Sequence, residues 1–419
     1  MTAADLKTLR ADCRFATVRG RSLGKLSAGL APLPLVSIVI TNHNYGAYVG
    51  QAIESVKRQD YPWLEVVVVD NASTDNSRAA IEAQIADDRR FSAIYSDRND
   101  GPLGSAINGL KATRGQFIGF YDADDFLLEN CISYHIQSHL AAPFEVAFTS
   151  ANVLQVANDG SIISGGRCSV PRQPNSGSRG LRPPYQVPIL PTISPEDYEA
   201  LSNSSVTIPA NEKGWLWYGS SAMLLRRRAV EMVLPHNPEN STIREDGFFL
   251  AADSFFAYNC HWLGGSLRIE IPLHAYRVHG QNQFNRSIHF RGVKREKSPV
   301  QKFLSRRFDE MVRDVVARHE RLISQTSRER FWQIFDQACD RIEPPLKDKV
   351  SGDTFAVLAE AFPKLEVTFG ARRTVFEFRR QIGLISLTRI IMTAYGARVP
   401  PRVTIAMALA GASKLFRYR

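Results

Sequence analysis

The chain has 419 residues, of which 44% are hydrophobic and 22% charged, and this ordinary globular composition excludes a wholly disordered protein. Its net charge of +10 is concentrated near the C-terminus, where residues 367–419 hold ten Arg and Lys and a single acid, Glu377. Five scattered cysteines without a CxxC spacing argue against a disulfide framework or a zinc site and predict reduced thiols in the cytoplasm. We expect neither a signal peptide nor a spanning helix, because no long apolar run occurs.

Strand-like and helix-like segments alternate after residue 34. Apolar, β-branched runs predict four strands, at residues 36–41, 64–70, 91–95 and 117–122. The segments between them predict helices, at residues 46–59, 75–88 and 102–113. The continuous apolar run at residues 66–69 is typical of a strand buried on both faces of a parallel sheet. The alternation predicts a doubly wound α/β domain.

The rest of the chain changes character twice. Residues 167–213 are rich in Pro, Ser, Gly and Asn, and predict a long loop or lid. Apolar runs at residues 222–225 and 267–276 would extend the α/β domain, and helical spacing of apolar residues begins after about residue 296. The expected organisation is an N-terminal extension at 1–34, an α/β domain at 35–295 and a basic, mostly helical region at 296–419.

Polar clusters follow three of the predicted strands, at residues 42–44, 70–71 and 122–125. Ligands bind at the carboxyl ends of strands in open α/β sheets, so the three clusters should converge on one rim. Asp122, Asp124 and Asp125 repel one another unless a cation or water lies between them, and their oxygens suit Mg²⁺ or Mn²⁺. The alternative is a solvated acidic turn that caps the next helix.

Three segments follow the pattern of strand ends described above: VSIVITNHNY at 36–45, VVVDNASTD at 67–75 and GFYDADD at 119–125. In their order and spacing they resemble family 2 glycosyltransferases of the GT-A fold. The resemblance covers residues 35–285 and implies a Rossmann-like mixed sheet flanked by helices. It also implies an inverting transferase that takes a sugar from a nucleotide-sugar donor and uses Mn²⁺ or Mg²⁺ as cofactor.

The resemblance assigns a donor site. Thr41 and His43 would line the base, and Asp70 and Asn71 stand where the family has a base-reading acidic pair. Because Asn71 replaces the second acid of that pair with an amide, the resemblance indicates a preference for a UDP-sugar and does not fix the base. The nucleotide-sugar site is expected to comprise Thr41, His43, Asn44, Asp70, Asn71, Asn108, Asp122, Asp124 and Arg277. The metal site is expected to comprise Asp122, Asp124, Asp125 and His279.

Residues 214–223 resemble the part of the family that approaches the donor sugar and the acceptor. Its aromatic side chains would either stack on sugar rings or belong to the core. Two carboxylates are candidates for the base that deprotonates the acceptor hydroxyl. Asp246 looks like the family's Glu-Asp pair, whereas Asp253 is better spaced from the closing YRVHG at 276–280 and is preferred. The acceptor residues are expected to be Trp215, Trp217, Tyr218 and Ser220.

These features predict transfer of a sugar to a hydroxyl of a saccharide or lipid-linked glycan in bacterial surface or extracellular polysaccharide synthesis. The alternatives are a non-catalytic sugar-binding protein on the same fold and a nucleotidyltransferase, which would need a Gly-rich, Lys-containing loop after the first strand. The basic C-terminal region predicts either peripheral contact with the inner face of the membrane or a helical bundle with a solvated face. No nucleic-acid-binding module is recognisable, so nucleic acid is not an expected partner.

Overall fold

The computed structural model describes residues 14–15, 33–165, 176–237, 249–279, 282, 304–339 and 352–412. The chain divides into two compact units. One contains residues 1–234 and 238–300, and the other contains residues 235–237 and 301–419. No helix within the described ranges is long and apolar enough to cross a membrane.

A mixed sheet of eleven strands, counted over the described residues, forms the centre of the first unit. Its parallel half has the spatial order β4 (Phe91–Tyr95), β3 (Leu64–Asp70), β2 (Val36–Asn42) and β5 (Phe117–Asp122). The order continues through β12 (Met223–Arg226), β7 (Phe148–Val156), β13 (Ser266–Arg277), β11 (Ser205–Ile208) and β9 (Ser178–Arg179). The short strands β6 (Phe126–Leu127) and β8 (Ile162–Ser164) pair with β13 and β7, and a separate ladder joins β1 (Arg14–Phe15) to β10 (Pro188–Ile189).

The four predicted strands and the mixed α/β sheet are confirmed. Residues 66–69 of β3 are all buried, because helices cover both faces of the parallel half. The helices of this unit are α1 (Val49–Lys57), α2 (Ser77–Ile85), α3 (Gly101–Lys111), α4 (Cys131–Ala141), α5 (Pro195–Asn203), α6 (Arg227–Val233) and α7 (Ala252–Gly264). A 3₁₀ turn at Ser220–Ala222 precedes β12.

The prediction of one long loop at residues 167–213 is wrong for the part that the structure describes. Residues 178–208 contain β9, β10, helix α5 and β11. Ser194 and Asp197 form a capping box at the start of α5, and Pro195 occupies its first turn. These local signals start a helix inside a stretch whose Pro, Ser and Asn content had indicated a loop.

The second unit is helical, as predicted. Its helices are α8 (Leu304–Ala317), α9 (His319–Gln325), α10 (Arg328–Cys339), α11 (Gly352–Phe369), α12 (Ala371–Tyr395) and α13 (Pro401–Ala412). Aromatic side chains pack between them, with the Phe335 and Phe378 rings 5.5 Å apart. Helix α12 is interrupted at Gly383, whose φ of 77° lies in the left-handed region.

Candidate active site

The register of three parallel strands brings the polar clusters together. Asn42 at the end of β2 lies beside Asp70 at the end of β3, and Thr41 lies beside Asp122 at the end of β5. Neighbouring strands are about 4.8 Å apart, so the two carboxylates flank β2 at one rim of the sheet. The convergence expected from the sequence is therefore present.

Asp122, Asp124 and Asp125 form a compact group of carboxylates. One oxygen from each lies within 4.8 Å of the others, and Asp124 and Asp125 are buried. The Asp122 carboxylate is the most accessible of the three, and accepts hydrogen bonds from the Thr41 hydroxyl at 3.3 Å and the Ser221 hydroxyl at 3.3 Å. These contacts orient Asp122 without enclosing it.

The Asp124 carboxylate is held by two rings. Its Oδ2 lies 2.9 Å from Nε2 of His279, and the Tyr45 hydroxyl also hydrogen-bonds to it. Burial raises the pKa of Asp124, an effect that His279 opposes. Burial and the nearby carboxylates raise the pKa of Tyr45 far above its ordinary value, so the phenol stays protonated and donates. Through this contact, His279 positions Asp124.

The Asp125 carboxylate is fixed by the end of β13. Its Oδ1 accepts the Arg277 backbone N–H at 3.0 Å, and its Oδ2 lies 3.3 Å from Nε2 of His274. The Arg277 guanidinium is buried and donates to the carbonyls of Asp124, Ala157 and Asn158 and to the side chain of Gln51. Arg277 was expected in the nucleotide-sugar site, but its guanidinium donors already serve the protein, which corrects that expectation.

The acidic group fits a divalent cation. Three hard oxygen donors lie within one ion's reach, and two of the carboxylates are buried where their mutual repulsion is poorly screened. A cation bound between Asp122, Asp124 and Asp125 would offset that repulsion. His279 is not one of these three residues, but its Nε2 lies 2.9 Å from Oδ2 of Asp124, and its role as a metal ligand stays a prediction.

On the side of the rim that is expected to bind the base, hydrogen bonds connect several short loops. Oδ1 of Asp70 accepts from the Asn42 amide at 2.7 Å and from the Ser73 hydroxyl at 2.5 Å. His43 places Nδ1 2.8 Å from the Asn71 carbonyl oxygen and keeps its ring partly exposed at the rim. That exposure leaves the His43 ring available for stacking on a base.

Asn71, Asn44 and Asn108 organise these loops. The Asn71 side chain accepts the Asp100 N–H at 2.9 Å and donates to Asn99 at 2.8 Å, so it braces the turn before α3. Asn44 is exposed with φ of 59°, and its Oδ1 accepts the Thr74 N–H at 2.7 Å. The Asn108 amide donates to Asp100 at 3.1 Å and is partly exposed.

The predicted acceptor aromatics belong mostly to the core. Trp217 is fully buried and donates its indole N–H to Ser266 at 2.7 Å, and Tyr218 is buried with its hydroxyl 2.9 Å from Glu270. Neither offers a flat face to a sugar, which corrects the prediction for both. Trp215 is partly exposed, packed edge-on against Trp217 and Tyr258. The side chain of Ser220 lies outside the described part of the structure.

One of the two candidate bases is described. Asp253 lies in the first turn of α7, partly exposed, and its Oδ1 accepts the Ser254 N–H. Phe256, one turn further along α7, stacks on Phe120 of β5 with ring centroids 4.9 Å apart. Since Phe120 precedes Asp122 by two residues, the start of α7 lies close to the acidic rim. Asp246 lies outside the described residues.

Three residues of the site were not predicted: Tyr45, Ser221 and His274. Tyr45 stands two residues after His43 in the segment 36–45, and its aromatic ring was the available signal. Ser221 reaches Asp122 because β12 runs antiparallel to β5, and His274 reaches Asp125 because β13 pairs with β6. Strand pairings between segments so far apart in the chain leave no local trace in the sequence.

Comparisons with known proteins match this architecture to one family. The model of the family described as "Glycosyl transferase family 2" matches residues 37–159, which include the whole acidic rim. An uncharacterized glycosyltransferase of Nostoc sp., alr2836, is 27% identical over 248 residues, covering 59% of this chain and 66% of the relative. A Campylobacter jejuni GalNAc(5)-diNAcBac-PP-undecaprenol beta-1,3-glucosyltransferase is 27% identical over 34% of this chain and 41% of the relative.

This chain therefore spans two-thirds or less of the length of these relatives. A solved structure, S. aureus TarS 1–349 in complex with UDP-GlcNAc, has a TM-score of 0.45 at 13% identity and covers 85% of this chain and 90% of its own. The family match falls on the segment that holds β2 to β7 and the three carboxylates. Residues 37–159 of this chain are therefore similar to glycosyl transferase family 2.

Proposed function

We propose that this protein is a metal-dependent, inverting glycosyltransferase that moves a sugar from a nucleotide-sugar donor to a hydroxyl of a saccharide or lipid-linked glycan. The observation that carries the proposal is the meeting of Asp70 with the group Asp122, Asp124 and Asp125 at one rim of a sheet whose residues 37–159 match the family 2 model. This rim offers a base-binding side and a diphosphate-binding side next to each other. The proposed cation, Mn²⁺ or Mg²⁺, would neutralise charge on the leaving nucleoside diphosphate.

In the proposed mechanism, the chain's own residues position the donor and move one proton. His43 stacks on the base, with Asp70 beside it, and we favour uracil because Asp70 supplies an acceptor for its N3–H. Asp253 accepts the proton of the acceptor hydroxyl. The acceptor oxygen then bonds to the anomeric carbon as the bond from that carbon to the diphosphate oxygen breaks. Attack from the opposite face inverts the anomeric configuration.

The setting of the reaction is part of the proposal. The Campylobacter relative is described as acting on an undecaprenol-linked glycan, which supports an acceptor of surface-polysaccharide type. A reducing, cytoplasmic location is supported by Cys131, Cys260 and Cys339, which are buried and form no disulfide within the described residues. The competing function, a sugar-binding protein without turnover, makes no use of a carboxylate at the start of α7.

The proposal is tested by metal-dependent nucleotide binding. We expect UDP to stabilise the protein against thermal unfolding when Mn²⁺ is present and to have little effect with EDTA. Asp124→Asn keeps the size and the contact to His279 but removes a charge, and should weaken metal-dependent UDP binding at least about tenfold. The matched control is Asp87→Asn, an exposed carboxylate between α2 and β4.

Turnover separates the enzyme from the binding protein. A panel of nucleotide sugars is incubated with Mn²⁺, and release of nucleoside diphosphate is measured for wild type, Asp124→Asn and Asp87→Asn. We expect release with wild type and Asp87→Asn and none with Asp124→Asn. Equal release by all three proteins would remove the metal site from the mechanism, and binding without any release would favour the non-catalytic alternative.

A further inference from the structure

Large apolar side chains are exposed mainly at one end of the chain. Among the described residues nine such side chains are exposed, and six of them lie between residues 367 and 409. Ile385 is 81% exposed, Ile405 61%, Met392 53% and Leu409 50%. Scattered exposed apolar residues are ordinary, but this concentration on the last two helices needs a cause.

These four side chains form two stripes. On α12, after the interruption at Gly383, Ile385, Arg389 and Met392 follow one another at intervals of four and three residues, and all are exposed. On α13, Arg402, Ile405 and Leu409 repeat the pattern at intervals of three and four. Such spacing places each set on one face of its helix. We call these two sets the arginine–apolar stripes.

The opposite faces of the same helices are also apolar. Leu387, Ile390 and Ile391 of α12 are buried, as are Val403 and Ala406 of α13. Packing within the second unit therefore accounts for one face of each helix and leaves the stripes unexplained. A helix with apolar side chains on both its packed face and its outer face is expected where the outer face contacts something other than water.

The two helices run side by side as a hairpin. Glu366 of α11 binds Arg402 near the start of α13 and the Tyr395 hydroxyl near the end of α12. Arg379 near the start of α12 reaches the carbonyl of Ala410 near the end of α13. The last helix therefore folds back along the previous one, so both stripes belong to a single supersecondary unit.

The charge of this hairpin is strongly positive. Residues 371–412 contain seven arginines, no lysine and one acid, Glu377, so their net charge is 7 − 1 = +6. Glu377 is already engaged by Arg373 and Arg380. Arg372 and Arg398 are exposed as well. Any large partner of the stripes must therefore accept both apolar side chains and a high positive charge.

An anionic lipid surface meets both requirements. We propose that the arginine–apolar stripes of α12 and α13 dock on anionic phospholipids, with Arg389 and the other exposed arginines of the hairpin that are not paired with an acid at the phosphates, and with Ile385, Met392, Ile405 and Leu409 inserted among the upper acyl chains. A second copy of the chain would bring one +6 hairpin against another, and that repulsion disfavours it as the occupant. A nucleic acid would satisfy the arginines but leave four apolar side chains against a polar backbone.

The test is vesicle flotation of the full-length protein. We expect flotation with vesicles of equal parts phosphatidylcholine and phosphatidylglycerol, little with phosphatidylcholine alone, and a loss of binding at high salt. The double variants Ile385→Ser with Met392→Ser and Ile405→Ser with Leu409→Ser should each lower the bound fraction at least severalfold. Circular dichroism melts check that these variants keep the fold, as their exposure predicts.

The matched control is Ile162→Ser, an equally apolar and 68% exposed side chain in the first unit, which should float like wild type. Flotation of the double variants at the wild-type level would overturn the inference, as would equal binding to both vesicle types. The inference would also be overturned if the wild-type protein bound neither vesicle type but self-associated, and the double variants abolished that self-association. Nucleotide release plays no part in these readouts, so they fail or succeed separately from the proposed reaction.

Discussion

Asp122, Asp124 and Asp125 are close neighbours in sequence, yet each carboxylate has a different surrounding. Asp122 is accessible and oriented by hydroxyls, Asp124 is buried against His279 and Tyr45, and Asp125 is buried against His274 and a backbone N–H. We therefore expect the three carboxylates of residues 122–125 to have different roles. In the proposed function, Asp122 is the carboxylate that would meet a diphosphate-bound cation, while Asp124 and Asp125 are held by residues 274–279.

The residue-scale prediction concerns the base. Asp253→Asn keeps the size of the side chain and its acceptor oxygen for the Ser254 N–H, but removes the ability to take a proton. We expect kcat to fall about a hundredfold or more with metal-dependent UDP binding unchanged. Steady-state kinetics and calorimetry on Asp253→Asn and the matched Asp246→Asn check this. A large loss in kcat for Asp246→Asn alone would move the base to that residue.

At the scale of elements, helix α3 approaches strand β2 closely behind the rim. A Cβ atom built at Gly109 would lie 2.2 Å from one methyl carbon of Val39 and 2.8 Å from the other. Val39 itself is fully buried, so it has no room to move. The helix that follows the Asn99–Asp100 turn can therefore sit this close to β2 only with glycine at position 109.

This contact predicts opposite outcomes for two Gly→Ala substitutions. Alanine favours helices over glycine, so Gly50→Ala in α1, where the nearest atom is 3.6 Å away, should stabilise the protein by about 0.5 kcal/mol. Gly109→Ala should destabilise it by about 1–3 kcal/mol, because overpacking outweighs propensity. Urea unfolding of both variants gives the free energies. Stabilisation by Gly109→Ala would show that α3 shifts away from β2 at no cost.

Elements differ in how far the sequence could predict them. The parallel strands β2, β3, β4 and β5 were predictable because each is a short apolar run, and the polar clusters that follow β2, β3 and β5 placed Asp70 and Asp122 at one rim. Helix α5 was missed, since its capping residues stand in a loop-like composition. The burial of Arg277 was missed and that of Trp217 was left as one of two alternatives, because both depend on long-range pairing of β7 with β13.

At the scale of the whole molecule, two buried histidines link stability to pH. His135 and His139 lie on helix α4, with hydrogen bonds to the Thr149 hydroxyl at 2.7 Å and the Leu224 carbonyl at 2.9 Å. Burial lowers the pKa of His135 to about 3 and that of His139 well below its ordinary value. The unfolded chain binds these protons near pH 6.5 and the folded protein does not, so stability falls as the pH drops below that value.

We therefore expect the free energy of unfolding to decrease by about 1.4 kcal/mol per pH unit for each histidine between roughly pH 6 and pH 4. His135→Gln should reduce this slope by the contribution of one histidine, about 1.4 kcal/mol per pH unit. At pH 8 the same variant should show only the cost of an altered buried hydrogen bond. Urea unfolding across this range measures both quantities. An unchanged slope in His135→Gln would mean that His135 is protonated inside the folded protein.

Strand β13 has a consequence for when the site can form. It supplies the Arg277 N–H and His274 to Asp125 and leads into His279, which holds Asp124, and these contacts link positions 149 to 155 residues apart. A ribosome that has completed the 122–125 turn has yet to translate the residues that hold its carboxylates. The nascent chain must therefore carry an acidic turn without its supports until position 279 has emerged, so cation binding should appear late in synthesis.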